Sequence, residues 1–247
     1  MKKKYFLNAA CLCLCAGFAF TACNKDDDGP EASPIESITA TVENGSSYDL
    51  DQVKASIDYA GGSYEVVSGS YTNGGFTLTL PKTVDARYLK PLFDEEDLEL
   101  FGSGIKVSDT NAKTAFLYIA GYKSNVPKGS FWYIKELSAS SEIEAEIVYV
   151  DRDVTVTGSG TFFGDKEVMN ISLKKGWNMW YDTETTTGTT TERTSATSDP
   201  GGLKWIFYKY GGNDDPVEDD HAEDPIPEQG SAAKFFGSKK FPFKSLK

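Results

Sequence analysis

The sequence predicts an all-β protein: an antiparallel β-sandwich or partly open β-barrel of about ten to twelve short strands, with little helix. Three observations carry that prediction. From Ile38 onward, apolar and polar residues alternate with a period of two. Turn signals rich in Gly, Asn and Pro interrupt the alternation at short intervals. No long segment repeats at the 3.6-residue period that a helical bundle or an α/β sheet requires.

Taken in order, Val53-Lys54-Ala55-Ser56-Ile57-Asp58-Tyr59 alternates until Gly61-Gly62 turns the chain, and Tyr64-Glu65-Val66 opens the next strand. Asn73-Gly74-Gly75 is a second turn signal. Phe76-Thr77-Leu78-Thr79-Leu80 then alternates until Pro81 stops it. These pieces predict an antiparallel meander with aliphatic side chains inward and threonines wet. Residues 88–101 are less regular; Pro91 and the acidic run Asp94-Glu95-Glu96-Asp97 leave room for one short helix or turn. Strand patterns resume at 104–107, 115–122, 130–136 and 143–150, then at 154–157 and 168–173. Leu173-Lys174-Lys175-Gly176-Trp177 reads as a hairpin turn, with Gly176 supplying a positive φ. The last strands fall at 177–181 and 203–210. Residues 182–198 between them are dense in Thr, whose β-branching favours extended backbone, either a long exposed hairpin or a mobile loop. Residues 38–210 thus make a single all-β domain, large enough to bury about 70% of its unfolded surface in one core.

The N-terminus reads as an address. Lys2, Lys3 and Lys4 precede an apolar run that ends Phe20-Thr21-Ala22-Cys23, the layout of a secretory signal peptide over 1–22. Thr21-Ala22-Cys23 resembles the end of a bacterial lipobox, with Phe20 where that box usually begins with Leu. The resemblance implies cleavage before Cys23 and a diacylglycerol on its thiol. Asn24-Lys25-Asp26-Asp27-Asp28 is similar to the export signal of Bacteroidetes lipoproteins displayed on the outer leaflet of the outer membrane. The family resembled is therefore that of surface-exposed outer-membrane lipoproteins, and it implies a membrane partner reached through the lipid at Cys23. Residues 23–37, with Pro30 and Pro34, read as a flexible acidic tether.

Composition then removes whole classes of chemistry. With 37 Asp+Glu against 25 Lys+Arg and a formal charge of -12, the chain repels phosphate, so nucleic acid is not expected as a partner. Cys11, Cys13 and Cys15 lie in the leader and Cys23 carries lipid, so the mature chain offers no disulfide, thiol nucleophile or thiolate metal site. The one imidazole, His221, sits in an acidic, Pro-broken stretch (211–233) that reads as a disordered linker, an unpromising place for a Ser-His-Asp triad. Gly102-Ser103-Gly104 and Gly158-Ser159-Gly160 have neither the spacing nor the following helix of a phosphate loop. Ser-x-x-Lys matches at Ser103, Ser172 and Ser231 are no more than chance supplies. Asn213-Asp214-Asp215 through Glu218-Asp219-Asp220 offers hard oxygens for calcium but not the spaced ligands of a calcium loop; a solvated acidic run is the plainer reading. No catalytic residue, metal or cofactor is assigned.

Aromatic side chains are the remaining lead, because exposed Trp and Tyr rings on β-scaffolds stack against the apolar face of a sugar. Strand parity puts Trp177, Met179 and Tyr181 on one face, read as core, and Trp205 with Leu203 and Phe207 likewise. Trp180 falls between Asn178 and Asp182 and so on the polar face, as a candidate stacking platform; the plainer alternative is burial beneath the Thr-rich segment or a second sheet. Trp132 shares a face with Ile134 and is the second candidate. Glu144 and Glu146 lie on the wet face of their strand, opposite Ile143, Ala145 and Ile147. The basic tail 234–247, with Phe235, Phe236, Phe241 and Phe243, reads as a frayed end or a capping strand, or else as a segment that docks on anionic lipid or folds back onto the acidic linker. The expectation is a non-catalytic surface binding or accessory protein for a glycan or an outer-membrane protein. A carboxylate-dependent glycoside hydrolase and a fimbria-like structural subunit are the alternatives.

Overall fold

The computed structural model describes residues 34–210 apart from Ser103 and Phe163. Cys23, His221, the candidate calcium ligands and the tail 234–247 lie outside the described residues. The strands are β1 (Ser37–Thr41), β2 (Gln52–Tyr59), β3 (Gly62–Ser70), β4 (Gly75–Thr79) and β5 (Lys90–Pro91). After a seven-residue helix α1 (Glu95–Phe101) come β6 (Ile105–Val107), β7 (Lys113–Lys123), β8 (Val126–Ser138), β9 (Ser141–Val150) and β10 (Val154–Phe162). The last four are β11 (Asp165–Leu173), β12 (Gly176–Thr187), β13 (Thr190–Ala196) and β14 (Lys204–Lys209). The protein is all-β, as its alternation predicts. Among the described residues no helix is long and apolar enough to cross a membrane.

Twelve strands form one mixed, unclosed sheet with the path β3-β2-β7-β8-β9-β12-β13-β11-β10-β6; β14 adds to β8 and β5 to β7. The other two strands, β1 and β4, pair with each other, so the expected meander is only half right. β2 and β3 form the antiparallel hairpin, but β4 leaves it for β1. The reason is side-chain parity. Ile38 opposes Leu78 and Ala40 opposes Phe76 on the buried face, while Thr39 meets Thr77 through their hydroxyls at 3.3 Å on the wet one.

A second departure lies at β11–β12. Gly176 takes the predicted positive φ (116°), yet the two strands do not pair. The turn is closed by a side chain instead: Asn178 Oδ1 accepts from the Lys174 N–H, and its amide donates to the Lys174 and Gly176 carbonyls. β13, from the Thr-rich stretch, then wedges between the diverging strands. It runs antiparallel to β12 and therefore parallel to β11, which makes the sheet mixed.

The sheet buries both of its faces. On one, Val53, Ala55 and Ile57 of β2, Ile119, Phe131, Tyr149, Trp177, Trp205 and Phe207 pack with the β1–β4 pair. On the other, Val148, Val150, Val156, Ile171 and Trp180 pack with Leu92, Phe93 and Phe101 from the segment around α1. Ile147 to Val150 of β9 are buried without interruption, feeding the two cores alternately. The acidic run starts α1: Asp94 caps the helix in a reciprocal box with Asp97, each side chain accepting the other's backbone N–H at 2.9 Å.

Candidate functional site

The site is set by a place where three strands part. β7 pairs with β9 from Thr114 to Leu117, then with β8 from Ala120 onward. β8 meets β9 only from Tyr133. Between those ladders Tyr118 and Ile119 of β7, Phe131 and Trp132 of β8, and Glu146 of β9 have no partner strand on the facing edges. Glycine permits the close approach on one side of the fork. Gly121 and Gly129 oppose each other; a Cβ on Gly129 would lie 2.0 Å from the Tyr208 carbonyl oxygen of β14.

The fork opens into a groove of about 320 Å³, in the size range of small-molecule sites. Leu117, Ile119, Phe131 and Ile147 reach it from the first core and form the floor. Residues of the opposite parity form the walls: Phe116, Tyr118 and Ala120 of β7, Ser130 and Trp132 of β8, and Glu144 and Glu146 of β9, with Asp58 and Tyr210 at the margin. Tyr118 is 50% exposed and Tyr210 58%. Trp132 is half-buried, its indole N–H directed at Ser130 Oγ (3.4 Å) and its ring set edge-on to the exposed Tyr208. Three carboxylates border the groove, and no Lys or Arg is among its lining residues.

Behind the groove runs a crowded polar ladder on the same face. Trp180 pairs with Glu146 and Asp182 with Glu144 across β9–β12; Glu184 then faces Arg193 across β12–β13, and Arg193 faces Glu167 of β11. Asp182 Oδ1 accepts from the Trp180 indole N–H (2.8 Å) and from the Ser195 hydroxyl. Arg193 reaches Glu184 at 2.7 Å and Glu167 at 3.3 Å. Burial pushes the Glu167 carboxyl up to about 7 against the pull of Arg193, with Asp182, Asp165 and Glu184 adding to the rise. Its Oε2 is buried with no hydrogen-bond partner among the described residues. Desolvation, with Glu146 beside it, likewise lifts Asp182 to about 6, although Ser195 and Trp180 hydrogen-bond its charged form.

The two tryptophans singled out by sequence thus separate. Trp132 lines the groove. Trp180 does not present a surface: it is fully buried in the second core, 6.3 Å from the Phe116 ring. Parity placed it correctly on the face opposite Trp177, but there that face is buried in a second core shared with residues around α1 rather than wet. Other groove residues were overlooked, Tyr118, Asp58 and Tyr210 among them. The alternation Phe116, Tyr118, Ala120, Tyr122 on one parity was the available signal for Tyr118. Among the described residues no group of three or more His, Cys, Asp or Glu is arranged to hold a metal ion. Comparison with protein-family models, with curated proteins and with solved structures found no match.

Proposed function

We propose that this chain is a lipid-anchored cell-surface binding protein that takes a carbohydrate in the groove where β7, β8 and β9 part. One observation carries the reading: an open groove on a rigid sheet, walled by the partly exposed rings of Tyr118 and Trp132 and bordered by carboxylate acceptors. Flat rings match the apolar face of a pyranose, and carboxylates accept its hydroxyl protons. We favour binding over hydrolysis: Glu167 and Asp182, carboxyls that burial lifts toward neutrality, do not line the groove.

The placement rests on Thr21-Ala22-Cys23 and the acidic stretch behind it. The described fold is tied down from Ile35, whose N–H donates to the Trp177 carbonyl, so the chain from Cys23 to Pro34 lets the domain stand at most about 40 Å from its anchor.

The experiment is a glycan array probed with the protein, followed by calorimetric titration of any hit. Trp132→Ala is expected to weaken binding about tenfold while lowering the denaturation midpoint far less than loss of a core tryptophan would, since its ring is only partly buried. An empty array, or binding indifferent to Trp132, discards the carbohydrate reading. Mass spectrometry of the membrane fraction tests the anchor: acylated Cys23 is expected, and an unmodified thiol or a retained leader removes it.

A further inference from the structure

Tyr210, the last described residue, stands at the margin of the groove, so the chain leaves the described fold beside the site proposed for carbohydrate. Its N–H donates to the Lys128 carbonyl of β8, which fixes that exit. The groove carries acids from two strands, Asp58 of β2 with Glu144 and Glu146 of β9, and no Lys or Arg lines it among the described residues. The walls are nonetheless not bare: Glu144, Glu146, Tyr118 and Trp132 all have interaction partners. An occupant matching the whole groove brings cations to the acids, and apolar side chains to the rings and to the floor of Leu117, Ile119 and Phe131.

One stretch of this sequence offers both. Residues 234–247 hold five Lys and four Phe, with no acid among them. Residues 211–233 join them to Tyr210 and, fully extended, would span about 75 Å, more than a return to the groove requires. The acidic run Asp214–Glu228 can pair with the lysines but offers the phenylalanines little apolar surface. We propose that residues 234–247 dock in the groove of their own chain, with Lys against the wall acids and Phe against the rings and the floor. Given the carbohydrate reading, on which this consequence rests, the segment is autoinhibitory and a glycan must displace it. A tether of this length holds the segment at roughly 1 mM beside the groove, so a contact with a Kd of about 0.1 mM keeps about nine-tenths of the molecules closed.

Zero-length cross-linking of the full mature chain tests the docking without any ligand, because a carbodiimide joins a Lys amine only to a carboxylate touching it. An equal mixture of isotope-labelled and unlabelled chains separates links within one chain from links between two. Peptide mapping is expected to find links within one chain from the lysines of 234–247 to Glu144, Glu146 or Asp58. They should be at least about fivefold more abundant than links to Glu95 and Glu96, exposed acids of α1 that control for overall negative charge. Phe235→Ser, Phe236→Ser, Phe241→Ser and Phe243→Ser together keep every charge and lie outside the described fold. In the full chain this variant should cut the groove links at least about fivefold and, with the groove released, tighten binding of any array hit about tenfold.

Links from the tail confined to the acids of 211–228 overturn the docking, as do links that α1 shares equally with the groove. Groove links that survive the four Phe substitutions unchanged also overturn it, since charge alone would then hold the segment. Tail lysines that stay unlinked while the chain sediments with phosphatidylglycerol vesicles assign the segment to lipid and overturn it too. Groove links found together with an empty glycan array leave the docking standing and remove only the carbohydrate reading.

Discussion

Replacing Trp180 by Ala is expected to destabilise the fold by about 3–5 kcal/mol, measured as a shift in the denaturant midpoint at constant slope. The indole is fully buried, so truncation removes a large apolar surface and leaves a cavity beside Phe116, Val148 and Val150. A second loss is polar. The Trp180 N–H donates to Asp182 Oδ1, and without it the carboxylate keeps the Ser195 hydroxyl on that oxygen while Glu146 still repels it. Trp180→Phe separates the two contributions. It retains most of the ring and drops the donor, for an expected cost of about 1–3 kcal/mol that shrinks as Asp182 is protonated. Trp132→Ala, by contrast, removes a partly buried ring at the groove and should cost clearly less, about 1–2 kcal/mol. If Trp132→Ala proved the more damaging of the two, the second core could not be as described.

That contrast also shows where sequence reasoning succeeded and where it stopped. Parity is local, so alternation correctly separated Trp177 from Trp180, and Glu144 and Glu146 from Ile143 and Ile147. Turn chemistry is local too: Asn73 and Gly74 adopt the positive φ values of 53° and 77° that their pairing predicts, as does Gly176. Whether a face is wet is a long-range property. Trp180 is dry because it lies in a core completed by Leu92, Phe93 and Phe101, some eighty residues earlier. Strand neighbours are equally long-range. Nothing between Asp182 and Ser198 specifies that its second half will separate β11 from β12, and the groove exists only because β7 changes partner between Leu117 and Ala120. The wall residues could be assigned to faces from the sequence, but their convergence depended on the pairing.

The protein should be more stable near pH 5 than near pH 8, the reverse of a fold held together by paired carboxylates. Glu167 rises from 4.5 to about 7 in the folded state and Asp182 from 3.8 to about 6. Between about pH 4 and 7 the native protein therefore holds protons that the unfolded chain has released, and stability falls as pH rises through that window. Above it, both states are ionised and the penalty is constant. For Glu167 that rise corresponds to roughly 3 kcal/mol; the Asp182 contribution has the same sign but is not additive, because the carboxylates share neighbours. Asp109 and Asp151, held below the usual range with Arg152 close to both, act in the opposite sense only under about pH 4, so the optimum lies between the two regions. Glu167→Gln, a permanent mimic of the protonated acid, isolates the cause. It should match the wild type near pH 4.5 and exceed it by up to about 3 kcal/mol at pH 8. A variant less stable than wild type at pH 8 would mean that the ion pair with Arg193 outweighs the cost of burying the charge, and Glu167 would then be a structural anchor rather than a site of strain.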